Sequence, residues 1–180
     1  MKNINYKIFF IMFVFSAGLF AEDKLPPLKT FAYVDVSRCN GRWYEIAKYP
    51  NFFQRGLIAG TADWSIDPDG DIRVYFIGKK GNLKGKEIKS KLKGWVSDKQ
   101  TNTKFVIRFF WPFSGEYCLI DVGKDYEYAV VSKPSRKHLW ILSRTPQMDE
   151  QVYQKILDSL KEQCFDLEKL TRTPQINSGD

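Results

Sequence analysis

Side chains able to carry acid–base or nucleophilic chemistry are scarce in this sequence. It contains a single histidine, His138, so a Ser-His-Asp triad would have to use it, and a metal site built from several histidines is excluded. Ser114 and Ser143 stand in no Gly-x-Ser-x-Gly elbow and have no evident base. His138 follows a turn signal at 134–137. The sequence therefore predicts neither a catalytic site nor a metal site, and no cofactor.

Three cysteines are the other reactive groups: Cys39, Cys118 and Cys164. Their spacings suit no zinc site, and the odd count leaves at least one thiol outside any bridge within the chain. An oxidising compartment would allow one disulfide. The spacings do not choose among the three pairings. Strand alternation turns Cys118 outward, which speaks against a thiol enzyme acting in the interior.

The fold that positions these residues must also accommodate many aromatic side chains. The chain has 180 residues, of which 43% are hydrophobic and 27% charged, a balance typical of one globular domain. Aromatic residues make up 16%, with 14 Phe, 9 Tyr and 5 Trp. This excess indicates a wide interior or a binding surface.

The first residues are predicted to lie outside the fold. Lys2 and Lys7 precede an apolar run over 8–20, and Ala21 precedes two acidic residues. We interpret 1–21 as a secretory signal peptide and 22–180 as one domain; the alternative is an uncleaved N-terminal anchor. No cysteine follows the run closely, so no lipid attachment is predicted. Removing 1–21 leaves 26 basic against 21 acidic residues, a mild net charge of +5 that does not require a nucleic-acid partner.

Short runs rich in β-branched and aromatic residues fill the middle of the chain, and turn signals separate them. They predict eight strands, at 43–49, 59–66, 71–77, 86–96, 104–110, 116–122, 126–131 and 139–143. One helix with a single apolar face is predicted at 149–163, followed by a short final strand within 165–173. The fold class is all-β, an eight-stranded antiparallel up-and-down barrel over about 41–144 with the helix packed outside.

Three segments of the sequence resemble the signature motifs of a known protein family. Residues 40–47, Asn-Gly-Arg-Trp-Tyr-Glu-Ile-Ala, are similar to the first lipocalin signature; 125–131 resemble the second and 140–146 the third. Segments 61–65, 109–113 and 115–117 resemble the bacterial lipocalin branch, which is related to apolipoprotein D. The resemblance spans about 33–175 and implies a barrel with a ligand cavity.

The motif residues also have a physical interpretation. Gly41 permits a close backbone approach, Trp43 plugs one end of the barrel, and the Arg144 guanidinium stacks on its indole. We interpret these three as structural. Glu45 follows Trp43 by two residues and faces inward, where a carboxylate needs a partner.

Alternation along each strand predicts which side chains line the interior. An open cavity is expected rather than a filled core, although eight strands allow both. The expected ligand contacts are Glu45, Ala47, Trp64, Val74, Phe76, Leu92, Phe105, Ile107, Tyr117, Leu119, Tyr128 and Trp140.

The resemblance implies a non-enzymatic carrier of fatty acids, lysophospholipids or similar small hydrophobic ligands, located in the periplasm or at the outer membrane after secretion. The alternative is an enzyme on the same scaffold that acts on a lipid. A lysine cluster is either a solvated strand face or a collar that attracts an anionic membrane; its members are Lys79, Lys80, Lys84, Lys86, Lys89, Lys91 and Lys93.

The sequence departs from its relatives in two places. Many bacterial relatives carry a lipidated cysteine after the signal, and this chain does not. Cys164-Phe165-Asp166 stands where relatives commonly have Gly-Phe-Asp, and glycine there would suit a left-handed helix end. Cysteine tolerates that conformation less well. We therefore predict at most one disulfide, with Cys164 as its favoured member.

Overall fold

A computed structural model describes residues 25–110 and 112–176 of the chain. The predicted signal peptide lies outside these residues. The strands are β1 (Gly41–Lys48), β2 (Leu57–Ile66), β3 (Asp71–Lys80), β4 (Glu87–Val96), β5 (Lys104–Phe110), β6 (Phe113–Val122), β7 (Tyr128–Ser132), β8 (Leu139–Ser143) and β9 (Thr171–Arg172). The helix α1 is Glu150–Glu162, and 3₁₀ turns occupy Val36–Cys39 and Leu167–Lys169. The predicted final strand is therefore a 3₁₀ turn followed by only two strand residues.

The sheet closes on itself as an antiparallel barrel. Neighbouring strands follow the order β2-β3-β4-β5-β6-β7-β8-β1, and β1 also pairs with β2. That closing pairing runs from Gly41 opposite Trp64 to Tyr44 opposite Thr61. Beyond it, the end of β1 pairs with the short β9 instead. The predicted eight-stranded up-and-down barrel is confirmed, and alternate loops lie at opposite ends.

One end of the barrel is closed by the predicted stack. The Arg144 guanidinium lies 3.7 Å from the centre of the Trp43 ring, and the indole N–H donates to the Cys39 carbonyl. Arg144 also donates to the carbonyls of Arg38 and Arg42. Gly41 has φ +95°, and a Cβ there would lie 3.5 Å from the guanidinium. The predicted stacking of Arg144 on Trp43 is therefore present at this end of the barrel.

The helix α1 covers the outer face of the barrel. Asp149 caps its start, because one carboxylate oxygen accepts from the backbone N–H groups of Gln151 and Val152. The apolar positions recur at helical spacing, so one face is buried. The resulting outer cluster includes Ile46, Ala47, Cys118, Ile120, Tyr128, Val130, Leu139, Ile141, Tyr153, Ile156 and Leu160. The predicted external helix is confirmed. In the described residues no helix is long and apolar enough to cross a membrane.

The cysteines lie in three separate environments. Cys164 has φ +62°, the left-handed conformation expected of the residue after this helix. Cys39 lies in the core cluster inside the barrel and Cys118 in the outer cluster beneath α1. All three lie in the described residues, and all three are free thiols. The disulfide expected of Cys164 is absent because its side chain is exposed, whereas the barrel wall and α1 enclose the other two.

Candidate functional site

The barrel interior contains a cavity of about 440 Å³. Below it, next to the Trp43–Arg144 stack, apolar side chains fill the closed end. Of the twelve side chains expected to contact a ligand, nine line the cavity: Glu45, Trp64, Val74, Phe76, Leu92, Phe105, Ile107, Tyr117 and Trp140. Their shared position follows from the two-residue period of strands β1 to β6 and β8. The expected open interior is therefore present.

Leu119 faces inward but lies deeper than the main cavity. It is 8% exposed and packs in the core cluster within the barrel. A separate void of about 30 Å³ near the closed end is lined by Leu119 and by Trp43. That volume holds about one water molecule, so Leu119 supports the floor of the barrel.

Tyr128 was expected inside and lies outside, under α1. The chain before β7 turns through Tyr126, whose φ is +60°, and the strand begins only at Tyr128. The expectation assumed that regular alternation begins at residue 126. Because the strand begins two residues later, after a left-handed residue, every residue of β7 lies on the face opposite to the expected one. Ala129 and Val131 point inward instead.

Ala47 was also expected inside and belongs to the outer cluster. The pairing of β1 with β8 shifts between Glu45, opposite Leu142, and Ala47, opposite Ile141. This β-bulge inserts one residue and reverses the alternation. The same irregularity turns Lys48 back toward Glu45.

The loop between β1 and β2 contributes side chains that alternation could not reveal. Asn51, Phe53 and Gln54 line the cavity. The Phe53 ring stacks on Phe109 with centroids 4.6 Å apart and planes 1° from parallel. A loop has no period, so the one available signal was an aromatic pair, Phe52-Phe53, in an otherwise polar turn.

Strand residues outside the expected set complete the cavity wall. Ala62 and Phe109 lie on faces that alternation turns inward, and Leu142 shares a face with Trp140. The remaining wall residues are Leu57, Ile88, Ser90, Lys91 and Val131. Val131 follows from the corrected register of β7, and Leu57 from the extension of β2 toward the open end. Ile88 and Ser90 follow from their alternation with Leu92 on β4. Lys91, on the opposite face by alternation, also borders the cavity.

A buried polar network forms one side of the cavity. Glu45 is 3% exposed, and its Oε1 accepts from Lys48 Nζ at 2.6 Å and from Thr173 Oγ1 at 3.0 Å. Its Oε2 accepts from Gln54 Nε2 at 2.8 Å. Gln54 Oε1 in turn accepts from the Trp140 indole N–H at 2.8 Å. The carboxylate predicted to need a partner has three, and the network ties the β1–β2 loop to the wall.

Gly60 makes room for this network. A Cβ at residue 60 would lie 3.1 Å from Glu45 Cδ, which is too close for ordinary packing. The glycine therefore permits the carboxylate to sit against β2. The C-terminal segment closes the same side, since Gln175 donates to the carbonyls of Glu45 and Gly60.

Two further polar groups are associated with the cavity. The Trp64 indole N–H is buried and finds no hydrogen-bond partner in the described part of the chain. Burial raises the pKa of the Tyr117 hydroxyl to about 12, so that group is a neutral donor at physiological pH. The interior therefore combines aromatic walls with a few neutral donors and one compensated ion pair, which suits an apolar ligand bearing a small polar group.

Catalytic groups do not converge in the described structure. Ser143 Oγ lies 3.2 Å from Thr145 Oγ1, and Ser114 is exposed. Burial, with a smaller contribution from Lys133, lowers the pKa of His138. Between residues 25 and 176, leaving out residue 111, no cluster of side chains could hold a metal ion.

The chain is similar in sequence to known proteins of one family. Residues 34–175 match the family model of a lipocalin-like domain. Temperature-induced lipocalin-1 of Arabidopsis thaliana is 36% identical over 150 residues, covering 79% of this chain and 80% of that protein. Outer membrane lipoprotein Blc of Escherichia coli K12 is 35% identical over 144 residues, covering 80% and 81%.

A solved structure shows the same fold. Insecticyanin from the tobacco hornworm Manduca sexta matches with a TM-score of 0.68 at 20% identity, covering 84% of this chain and 86% of that one. The family model spans most of the chain, and both relatives exceed 30% identity over about four fifths of it. The chain belongs to the lipocalin family.

Proposed function

We propose that this protein carries or stores fatty acids, lysophospholipids or similar single-chain lipids in the barrel cavity. Family membership supports binding of a lipid or another small hydrophobic molecule. The observation that carries the finer proposal is the cavity of about 440 Å³ with largely apolar and aromatic walls. Ligand pockets for small molecules have volumes of roughly 300–1,000 Å³.

The arrangement of polar groups favours a ligand that enters tail first. Val74, Leu92, Phe105 and Ile107 surround the path of an apolar chain. Burial of the ligand's apolar chain contributes about 25 cal/mol per Å² of apolar surface to the free energy of binding. The loss of translational and conformational freedom on binding offsets part of this gain. Asn51 and Gln54, on the β1–β2 loop, would meet the polar head.

A binding role is proposed over catalysis because the candidate nucleophiles are poorly placed. Burial raises the pKa of the Cys118 thiol to about 11, and this thiol lies on the outer face of the barrel beneath α1. The His138 Nδ1 atom is buried without a partner among the described residues. Turnover of lipid esters that is lost on substitution of Ser114, Ser143 or Cys118 would instead support an enzyme.

The cell envelope is the proposed location, in the periplasm or at the outer membrane. One relative is named as an outer membrane lipoprotein, and residues 1–21 have the pattern of a secretory signal. Because no cysteine follows that signal closely, this chain would reach the envelope without lipidation. Cell fractionation, with mass measurement of the N-terminus, tests both points.

The test of the carrier function uses two positions adjacent in sequence. Phe76 lines the cavity. Tyr75, the preceding residue of β3, does not line it and pairs with Lys91 of the neighbouring strand β4. We expect Phe76→Asp to lower the affinity for a fluorescent fatty acid at least tenfold and Tyr75→Asp to leave it within twofold. Lipids extracted from the purified protein and identified by mass spectrometry would name the ligand.

A second variant covers failure of Phe76→Asp to fold. Ser90 also lines the cavity, and Ser90→Trp fills that space without burying a charge. We expect it to weaken binding while the circular dichroism spectrum stays unchanged. Folded variants that all bind like the parent protein would refute the proposed site.

A further inference from the structure

The two ends of the barrel differ in charge. Because the strands alternate in direction, the connections at 49–56, 81–86 and 133–138 and the short connection between β5 and β6 lie at the open end. We call the three longer ones, 49–56, 81–86 and 133–138, the mouth loops. They contain six basic residues and no acidic one. The loops at the closed end, 67–70, 97–103 and 123–127, contain five acidic and two basic residues. The charge of the mouth is thus concentrated and of one sign.

The mouth cations are not neutralised by neighbouring acids. No carboxylate in the described residues lies within 4.0 Å of any of the six: Arg55, Lys84, Lys86, Lys133, Arg136 and Lys137. Arg136 is held by the carbonyls of Pro26 and Gln163. Lys133 is half-buried, and its Nζ lies 5.5 Å from the centre of the Tyr117 ring. The other four are exposed and are available to an external anionic surface.

The same rim exposes large apolar side chains. Phe52 is 83% exposed, Phe53 52% and Leu83 41%. Phe113, which begins β6 at this end, is 57% exposed. Single exposed apolar residues are common, but a group around one opening marks an interaction surface.

Hydrogen bonds tie the first two mouth loops to each other. Gly81 N–H donates to the Gly56 carbonyl at 2.9 Å, and Lys80 Nζ donates to the Arg55 carbonyl at 2.8 Å. Phe52 meets the edge of Phe53 at 6.0 Å between centroids. The loop that carries Phe52 and Arg55 is therefore held beside the loop that carries Leu83, Lys84 and Lys86.

We propose that the mouth loops dock on an anionic lipid bilayer, with Phe52 and Leu83 in the headgroup region and the cavity opening toward the membrane. Phenyl and aliphatic groups favour that interface, and cations beside them are attracted by anionic headgroups. This orientation lets a lipid move between bilayer and cavity without crossing bulk water. The transfer step rests on the proposed carrier function; the docking step does not.

Sedimentation with vesicles of phosphatidylcholine, with and without 30% phosphatidylglycerol, tests the docking. Each cation near such a surface contributes roughly fivefold in partitioning. We expect the parent protein to bind the anionic vesicles, with binding falling as salt rises. The double variant Lys84→Glu/Lys86→Glu should bind at least tenfold more weakly. Phe52→Ser/Leu83→Ser should lose roughly tenfold through lost apolar contact.

The matched control changes the same amount of charge away from the mouth. Lys93 and Lys104 are exposed on the barrel side, and we expect Lys93→Glu/Lys104→Glu to bind vesicles within twofold of the parent. Equal loss in this control, or no vesicle binding by the parent, would overturn the proposal. Binding to immobilised polyglutamate but not to vesicles would also overturn it and would indicate an acidic protein partner.

A fatty-acid titration without vesicles separates the two proposals. Neither mouth variant changes a side chain that lines the cavity, so both should bind the fluorescent fatty acid as the parent does. Vesicle binding without fatty-acid binding would refute the carrier function and leave the docking intact. Normal fatty-acid binding without vesicle binding would refute the docking and leave the carrier function intact.

Discussion

The buried ion pair of Glu45 and Lys48 gives the sharpest prediction about stability. The Lys48 side chain is 11% exposed and the Glu45 side chain 3%, with 2.6 Å between Nζ and Oε1. Removing one member of a buried pair costs about 3–5 kcal/mol, because the other charge stays buried. In Lys48→Met the carboxylate keeps Thr173 and Gln54 as donors. We therefore expect a loss near the lower value, about 3 kcal/mol.

That loss converts to a measurable shift in melting temperature. For a domain of this size, 1 kcal/mol shifts Tm by roughly 2–4 °C, so Lys48→Met should lower Tm by about 6–12 °C. Urea unfolding followed by circular dichroism gives the free energy directly. The control is Lys169→Met, whose partner Asp166 lies at 2.8 Å with the same i,i+3 spacing but on the exposed surface. It should cost less than about 1 kcal/mol.

A double-mutant cycle tests the reasoning behind the magnitude. Glu45→Gln alone leaves a buried ammonium group, whereas Glu45→Gln combined with Lys48→Met leaves no buried charge. We expect the double variant to be at least about 2 kcal/mol more stable than the sum of the two single losses implies. Additive losses, within about 0.5 kcal/mol, would show that the pair is not coupled and would refute the argument.

The remaining predictions concern the cysteines. Cys164→Gly should stabilise the protein by about 0.5–1 kcal/mol in urea unfolding, because φ is +62° there and glycine adopts that conformation without steric cost; a lower unfolding midpoint would contradict this. Burial raises the pKa of both Cys39 and Cys118 to about 11. The folded protein should therefore be alkylated first at the exposed Cys164 at pH 8, with the two buried thiols reacting only after unfolding. Peptide mapping that finds Cys39 or Cys118 modified first would refute their burial.

Local features of the sequence determined most of the barrel. Strands β5 and β8 have the predicted limits, and α1 begins one residue after the predicted start because Asp149 is its cap. The Trp43–Arg144 stack followed from two motifs far apart in the chain. The limits of the strands and of α1 are predictable from local sequence, because alternation, helical spacing and capping depend on neighbouring residues.

The candidate site depended more on tertiary structure. Nine of the twelve expected side chains line the cavity, but Ala47 and Tyr128 lie outside. A bulge in β1 and a left-handed residue before β7 each shifted the alternation by one residue. Neither irregularity has a sequence signal of its own, because each depends on how the partner strands pair.

By itself, then, the sequence determined the strand order, the closing motif, the external helix and the apolar character of the interior. Only the folded chain decided which loop side chains reach the cavity, how Glu45 is compensated, and that the cations of three separate loops share one rim. Loops have no hydrophobic period, and the partners of Glu45 include Thr173, which is 128 residues away in sequence. Such contacts arise when barrel closure brings distant segments together, so no local pattern specifies them.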